Sequence, residues 1–344
     1  MFAGKKEHPR PGRLLGKFLL VAGVVHLLLP AVANADWVRR NEAIMGTAIY
    51  VELWHPDQQA GESAIDAVID EMHRIDRLMS TYKPDSEISR VNDRAATEPV
   101  PVSDELKNLI LKSLELSELT GGAFDITYAS VGHHYDFRER QRPDDATIEK
   151  ALPAVDYRHV IVDEPNDTVR FAREGVRIDL GGIAKGYAVE RGISILTDLG
   201  VKHASVSAGG DSRILGDRKG RPWLVGIRDP RGDRTEYITR IPVIDEAVST
   251  SGDYERYFDE DGVRYHHIIV PSTGKSAGEV HSVTIIGPNA TMTDGLSTSV
   301  FVLGIKAGLA LINTLDGFET VIIDGAGALH FSDGLLAGGQ ATTD

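Results

Sequence analysis

The stretch RIDLGGIAKGYAVERG, from Arg177 to Gly192, decides what kind of fold this chain has. An extended run ends at Asp179. Gly181 and Gly182 follow, and a helix opens near Ile183 and runs on to Leu199, where Gly200 stops it. Glycines between a strand and a helix let an anion approach the helix's positive N-terminal end, and Lys185 in the first turn adds a cation. The spacing matches neither the G-x-G-x-x-G of a dinucleotide fold nor the G-K-[ST] of a phosphate-binding loop. Taken alone, the stretch reads more simply as tight strand–helix packing.

Outward from this stretch, strands and helices alternate without a βαβ rhythm. Asp36–Trp54 reads as extended, with AIYVELW alternating as a strand does. Ile65, Val68, Met72, Ile75 and Met79 fall on one face of a helix over Ala64–Met79. Ser103 caps a second helix that ends at Gly121-Gly122, with Leu106, Leu109, Ile110, Leu114 and Leu116 facing the core. Thr168–Ala172 and Val176–Leu180 read as paired strands, and β-rich runs separated by turns fill Ala204–Ile286. Two helices, Asp294–Leu303 and Lys306–Leu315, precede a strand at Glu319–Asp324. The polar, glycine-rich residues 332–344 read as a flexible tail. The pattern predicts an α+β fold of two closely packed lobes.

The 344 residues carry 37 Lys+Arg and 51 Asp+Glu, a net charge of −14. With 42% hydrophobic residues this is a globular composition, and the acidity argues against nucleic-acid binding. The absence of cysteine excludes disulfides, thiolate metal sites and a lipid anchor on cysteine. Residues 1–35 differ from the rest. Lys5, Lys6, Arg10, Arg13 and Lys17 precede the apolar run Phe18–Leu29, which is too short to span a bilayer, and the segment ends Ala33-Asn34-Ala35. This is the pattern of a cleaved secretory signal, with an uncleaved anchor as the alternative. The expected location is therefore the periplasm.

Three further stretches carry candidate chemistry. In TMTDGLSTSVFVLG, Asp294 and Thr298 are four apart and share a helix face. Their hard oxygens suit Mg²⁺, although Asp294 could equally be a helix cap. In YHHIIVPSTG, one of two adjacent histidines could act as a general acid or base, or both could sit bonded at a strand edge. The Gly209-Gly210-Asp211 turn reads as a plain β-turn, and the His133-His134 pair carries no clear signal.

Together these stretches are more specific than any one of them. In order the chain reads MGT (45–47), MSTYKPDSEIS (79–89), GGAFDIT (121–127), IDLGGIAKGYAVE (178–190), SAGGD (207–211), AVSTSGDYERYF (247–258), HIIVPSTG (267–274) and TDGLSTSVFVLG (293–304). The series resembles the FAD:protein FMN transferase family, ApbE, over roughly Glu42 to Gly327. The resemblance implies a two-lobed ApbE-like fold with FAD between the lobes over residues 36–331. It also implies Mg²⁺-dependent transfer of FMN from FAD to a threonine or serine of an exported flavin-carrying protein, a subunit of a membrane redox complex, with release of AMP. The two rival readings are an FAD pyrophosphatase giving FMN and AMP, and a non-catalytic FAD-binding protein.

Residue by residue, the resemblance makes Met45, Tyr82, Ala123, Phe124, Asp125, Asp179, Lys185 and Ile269 contacts of FAD. It makes the Ala184 carbonyl, Asp294 and Thr298 metal ligands, and His267 the catalytic histidine, whose protonation should cost activity as pH falls through the imidazole range. Two departures stand out. Val270 occupies the place of a usual aspartate, and YASVGHHYDF follows Thr127 where the family usually continues with an apolar-aromatic pattern.

Overall fold

Strands β1 (Asp36–Ile44) and β2 (Thr47–His55) form a hairpin closed by Met45-Gly46. Both turn residues have positive φ, 55° and 69°, the type I′ geometry that matches strand twist. This is the computed structural model of the chain, and it describes residues 1–4, 36–233 and 236–339. The expected leader lies outside the described residues except for its first four.

Six more strands extend the hairpin: β3 (Ala204–Ala208), β4 (Asp211–Leu215), β5 (Ala247–Gly252), β6 (Val280–Gly287), β7 (Glu319–Asp324) and β8 (Leu329–Phe331). They make an eight-stranded sheet in which every neighbouring pair is antiparallel and the strands lie in chain order. The helices are insertions into this meander. Helices α1 (Gln58–Met79), α2 (Asp104–Leu119) and α3 (Ala184–Asp198) all fall between β2 and β3, and α4 (Ala290–Ile312) joins β6 to β7. The fold is therefore α+β, as the pattern predicts.

Period-two alternation explains the layering. In β6, Val283 and Ile285 join the main core under the helices, while Ile286 faces a second cluster on the opposite side with Trp223 and Val243. In β7, Ile322 joins the main core, and Val321 and Ile323 point the other way. A hairpin of Trp223–Arg228 and Tyr237–Val243 covers that second face. The main core also runs on into Leu106, Phe124, Val160, Val169 and Phe171, so the layer built by residues 87–176 shares one core with the sheet.

Three local expectations need correction. Thr168–Phe171 pairs with Val160–Asp163, not with Val176–Leu180. The latter segment is extended but bonded by a side chain: Asn92 accepts from Ile178 N at 2.7 Å and donates to Ile178 O at 2.9 Å. An amide side chain has taken the role of a strand partner, which periodicity does not reveal. The two helices expected at 294–303 and 306–315 are indeed separated, at Gly304, where φ is 72°, but the first of them starts earlier, at Ala290 on an Asn289 cap; together they make up α4. Glu279 stitches the break by accepting from Ile305 N. Residues 332–339 are not a loose tail: Ser332 is buried and a short helix α5 (Asp333–Gly339) follows, with Leu335 packed on the second-face clusters. Finally, α4 has the length and apolarity of a membrane span, but it packs on β5 and β6, and its apolarity belongs to the core.

Candidate active site

Helices α3 and α4 meet near their N-terminal ends. A Cβ on Gly186 would lie 2.1 Å from the Ala290 carbonyl oxygen and 2.6 Å from Asp294 Cβ, so only glycine permits this approach. The contact brings Gly186 N–H to the Asp294 carboxylate at 2.8 Å. Lys185 Nζ lies 3.2 and 3.3 Å from the two Asp294 oxygens and 2.7 Å from Asp211. Asp211 is the first residue of β4, and both carboxylates are buried. The sequence marks Asp211 only as part of a turn; its pairing with Lys185 is visible only in the fold.

These three groups sum to one negative charge in a buried place. Burial, and then the charge of Asp211, push the Asp294 carboxyl up to about 7. Burial also pulls the Lys185 ammonium down, but the two carboxylates outweigh it and hold it charged. Thr298 follows one turn after Asp294. Its hydroxyl lies 3.3 Å from Ser251 Oγ, and a Cβ on Gly182 would approach it to 3.5 Å. Ala184 is the first residue of α3 and directly precedes Lys185. The structure thus brings Lys185 and Asp294 together, with Thr298 one turn on and Ala184 next to Lys185 in the chain.

A second group gathers around Asp179. Its carboxylate accepts from Gly181 N at 2.6 Å, Thr81 Oγ1 at 2.7 Å and Tyr128 OH at 3.3 Å. Asp179 is therefore a tie between three segments. Next to Thr81, Tyr82 is 81% exposed, an aromatic face open to a planar ligand. The GAFD loop behaves differently from the expectation for Asp125. That carboxylate is buried, accepts from Thr127 N, Thr127 Oγ1 and Tyr157 N, and so shapes the loop from within. Ala123 and Phe124 are buried, and a Cβ on Gly182 would stand 3.2 Å from the Phe124 ring.

The two histidines separate cleanly. His266 is buried, its Nε2 lies 2.6 Å from Ala277 O and its Nδ1 accepts from Ile268 N, so both ring nitrogens are engaged. His267 Nδ1 is buried with no hydrogen-bond partner among the described residues. Burial, followed by Arg256, His266 and Lys185, lowers His267 to about 3. The expected loss of activity through the ordinary imidazole range is thereby corrected: this ring is neutral well below it. The Ile269 side chain is likewise not a free contact. It packs with Val131, Tyr135 and Ile148, leaving only its backbone to pass the site. Met45, half-buried against the main core, sits at the β1–β2 turn; a Cβ on neighbouring Gly46 would lie 3.4 Å from the Arg256 guanidinium.

The two departures also find physical accounts. After Val270 the turn is closed by backbone: Val270 O accepts from Thr273 N and Gly274 N, so no carboxylate is needed to hold it. The unusual segment after Thr127 buttresses that turn through Tyr135 OH, which donates to Gly274 O at 2.9 Å. A separate surface cleft of about 570 Å³, lined by Arg74, Glu105, Tyr187 and Arg191 among others, contains none of the site residues above.

The sequence model described as "ApbE family" matches residues 45–322. A FAD:protein FMN transferase of Treponema pallidum is 34% identical over 303 residues, covering 83% of this chain and 83% of the relative. One from Vibrio cholerae is 31% identical over 320 residues, covering 88% and 95%. Among solved structures, the ApbE protein of Thermotoga maritima superposes with a TM-score of 0.80 at 37% identity, covering 88% of this chain and 99% of that one. The flavin transferase ApbE of Vibrio cholerae gives 0.76 at 27%, with the same coverage. With the family match spanning residues 45–322 and relatives more than 30% identical over most of both chains, this chain belongs to the ApbE family.

Proposed function

We propose that this protein is an FAD:protein FMN transferase. A threonine or serine hydroxyl of a target protein attacks the FMN-side phosphorus of FAD. The new P–O bond joins FMN to the target, the diphosphate bond breaks, and AMP leaves. The observation that carries the reading is the buried Asp294–Lys185–Asp211 cluster at the meeting of two helix N-termini, in a chain whose relatives bear that name. Lys185 and the α3 N-terminus supply positive charge for the diphosphate. We assign the hydroxyl's proton to His267, whose Nδ1 makes no hydrogen bond in the free protein; the negative charge of a bound diphosphate would raise that ring's basicity toward the working range. Tyr82 and the Met45 turn offer an aromatic and an apolar surface for the flavin, which would lie between the sheet and the layer of residues 87–176.

Mg²⁺ fits the donor set. The Asp294 carboxylate, Thr298 hydroxyl and Ala184 carbonyl are hard oxygens, and the buried cluster carries one negative charge in excess of Lys185. When bound, the ion would offset the diphosphate's charge.

Intact-mass analysis of a flavin-carrying domain incubated with this protein, FAD and Mg²⁺ tests the reading. The domain should gain one FMN, and one AMP should appear per FMN transferred. Free FMN and AMP with an unmodified domain would make the protein a pyrophosphatase instead. The basic, apolar, A-x-A-ending leader supports export, with the target a subunit of a membrane redox complex. Periplasmic protein should then begin at Asp36; recovery of the full-length chain would overturn cleavage.

A further inference from the structure

Arg256 lies outside every residue discussed above as holding FAD or the metal, yet it stands among them. It directly precedes a hairpin of Tyr257–Glu260 and Val263–His266, and His267 directly follows it. The hairpin's base is closed by His267 N donating to Arg256 O at 3.1 Å. The Arg256 side chain is exposed and reaches toward the Met45-Gly46 turn, to 3.4 Å from a Cβ placed on Gly46. No carboxylate of the described residues lies within ion-pair distance of it. The neighbouring arginines differ: Arg231 and Arg264 both pair with Asp253, and Arg264 also with Asp259. A guanidinium held at the mouth of a site by its own backbone, without an acidic partner, has its donors free for a ligand's anion.

We propose that Arg256 is an anion clamp of this site, binding a phosphate of the FAD diphosphate in addition to Lys185. The assignment rests on the transferase reading and adds to it a residue that fixes the substrate's charged centre. It also gives the hairpin a purpose. One short connection, tied at its base, sets both the phosphate ligand and His267, so anion and proton acceptor are held in register. The field of Arg256 on His267, which helps to keep that ring neutral in the free protein, would be offset once a phosphate pairs with the guanidinium.

The test compares ligands with and without phosphate. Wild type, Arg256→Gln and Arg256→Lys are titrated with FAD and with riboflavin by flavin fluorescence, in Mg²⁺, with circular dichroism to confirm the fold. Arg256→Gln should weaken FAD roughly 10–100-fold, as expected for loss of a charge-assisted contact, and leave riboflavin within twofold. Arg256→Lys should recover part of the loss. Unchanged FAD affinity in Arg256→Gln would overturn the clamp while leaving the transferase reading intact. Equal losses for FAD and riboflavin would also overturn it, and make Arg256 a structural residue of the hairpin. If wild type itself failed to bind FAD, the transferase reading would fall and the clamp with it.

Discussion

Replacing Asp294 with alanine is expected to lower FMN transfer by roughly 10³-fold or more, the scale of losing a charged group that organises an active-site cation. The fold should survive, because Lys185 keeps its 2.7 Å contact with Asp211. Thr298→Ala should cost far less, about tenfold, since a water can replace a neutral hydroxyl ligand. Intact-mass transfer assays on both variants check the order; an active Asp294→Ala would remove this residue from the mechanism. Asp294 also predicts a pH effect on stability. Its folded carboxyl titrates above the ordinary value of 3.8, at about 7. The folded state therefore binds the proton more tightly than the unfolded chain. The stabilisation from this group is complete below the unfolded value and is lost as pH rises through the folded one. Metal-free wild type should lose more melting temperature between pH 5.5 and pH 8 than Asp294→Asn does. Equal losses would mean that the carboxylate is already charged at the lower pH.

His267→Asn should leave FAD affinity nearly unchanged and reduce transfer by roughly 10²–10⁴, the usual contribution of a positioned base. The neighbouring His266 is the control. Its ring is engaged by Ala277 O and Ile268 N, so its replacement should lower stability and affect binding and turnover together. The pH profile separates the assignments further. In the free protein burial and Arg256 hold His267 below the ordinary imidazole range, so an acid limb of kcat/KM between pH 5.5 and 8 is assigned to Asp294 and should move to lower pH as Mg²⁺ is raised, because proton and cation compete for one carboxylate. A limb indifferent to Mg²⁺ would return it to an imidazole. Wild-type turnover in His267→Asn would leave that ring structural and send the search for a base elsewhere.

Local pattern determined a great deal here. The apolar face of α1, the Ser103 cap of α2, the β7 strand and the ordered motifs are all written in short-range periodicity and turn chemistry. Those features depend on neighbours within one or two turns, which is why they were legible. So was the pairing of Asp294 with Thr298, a matter of helical spacing. Tertiary structure decided what depends on distant residues. Asn92 stands in for a strand partner at Ile178, 86 positions away. Asp211 becomes half of a carboxylate pair around Lys185. Asp125 turns inward to bind its own loop, and Ile269 is taken by a satellite core. Of two adjacent histidines with the same sequence context, one is locked by backbone groups and the other keeps a free nitrogen, because successive residues of an extended segment point to opposite sides. The chemistry of a side chain is carried by its type. Whether that chemistry is available depends on the partners that folding brings to it, and at this site those partners come from strands and helices far apart in the chain.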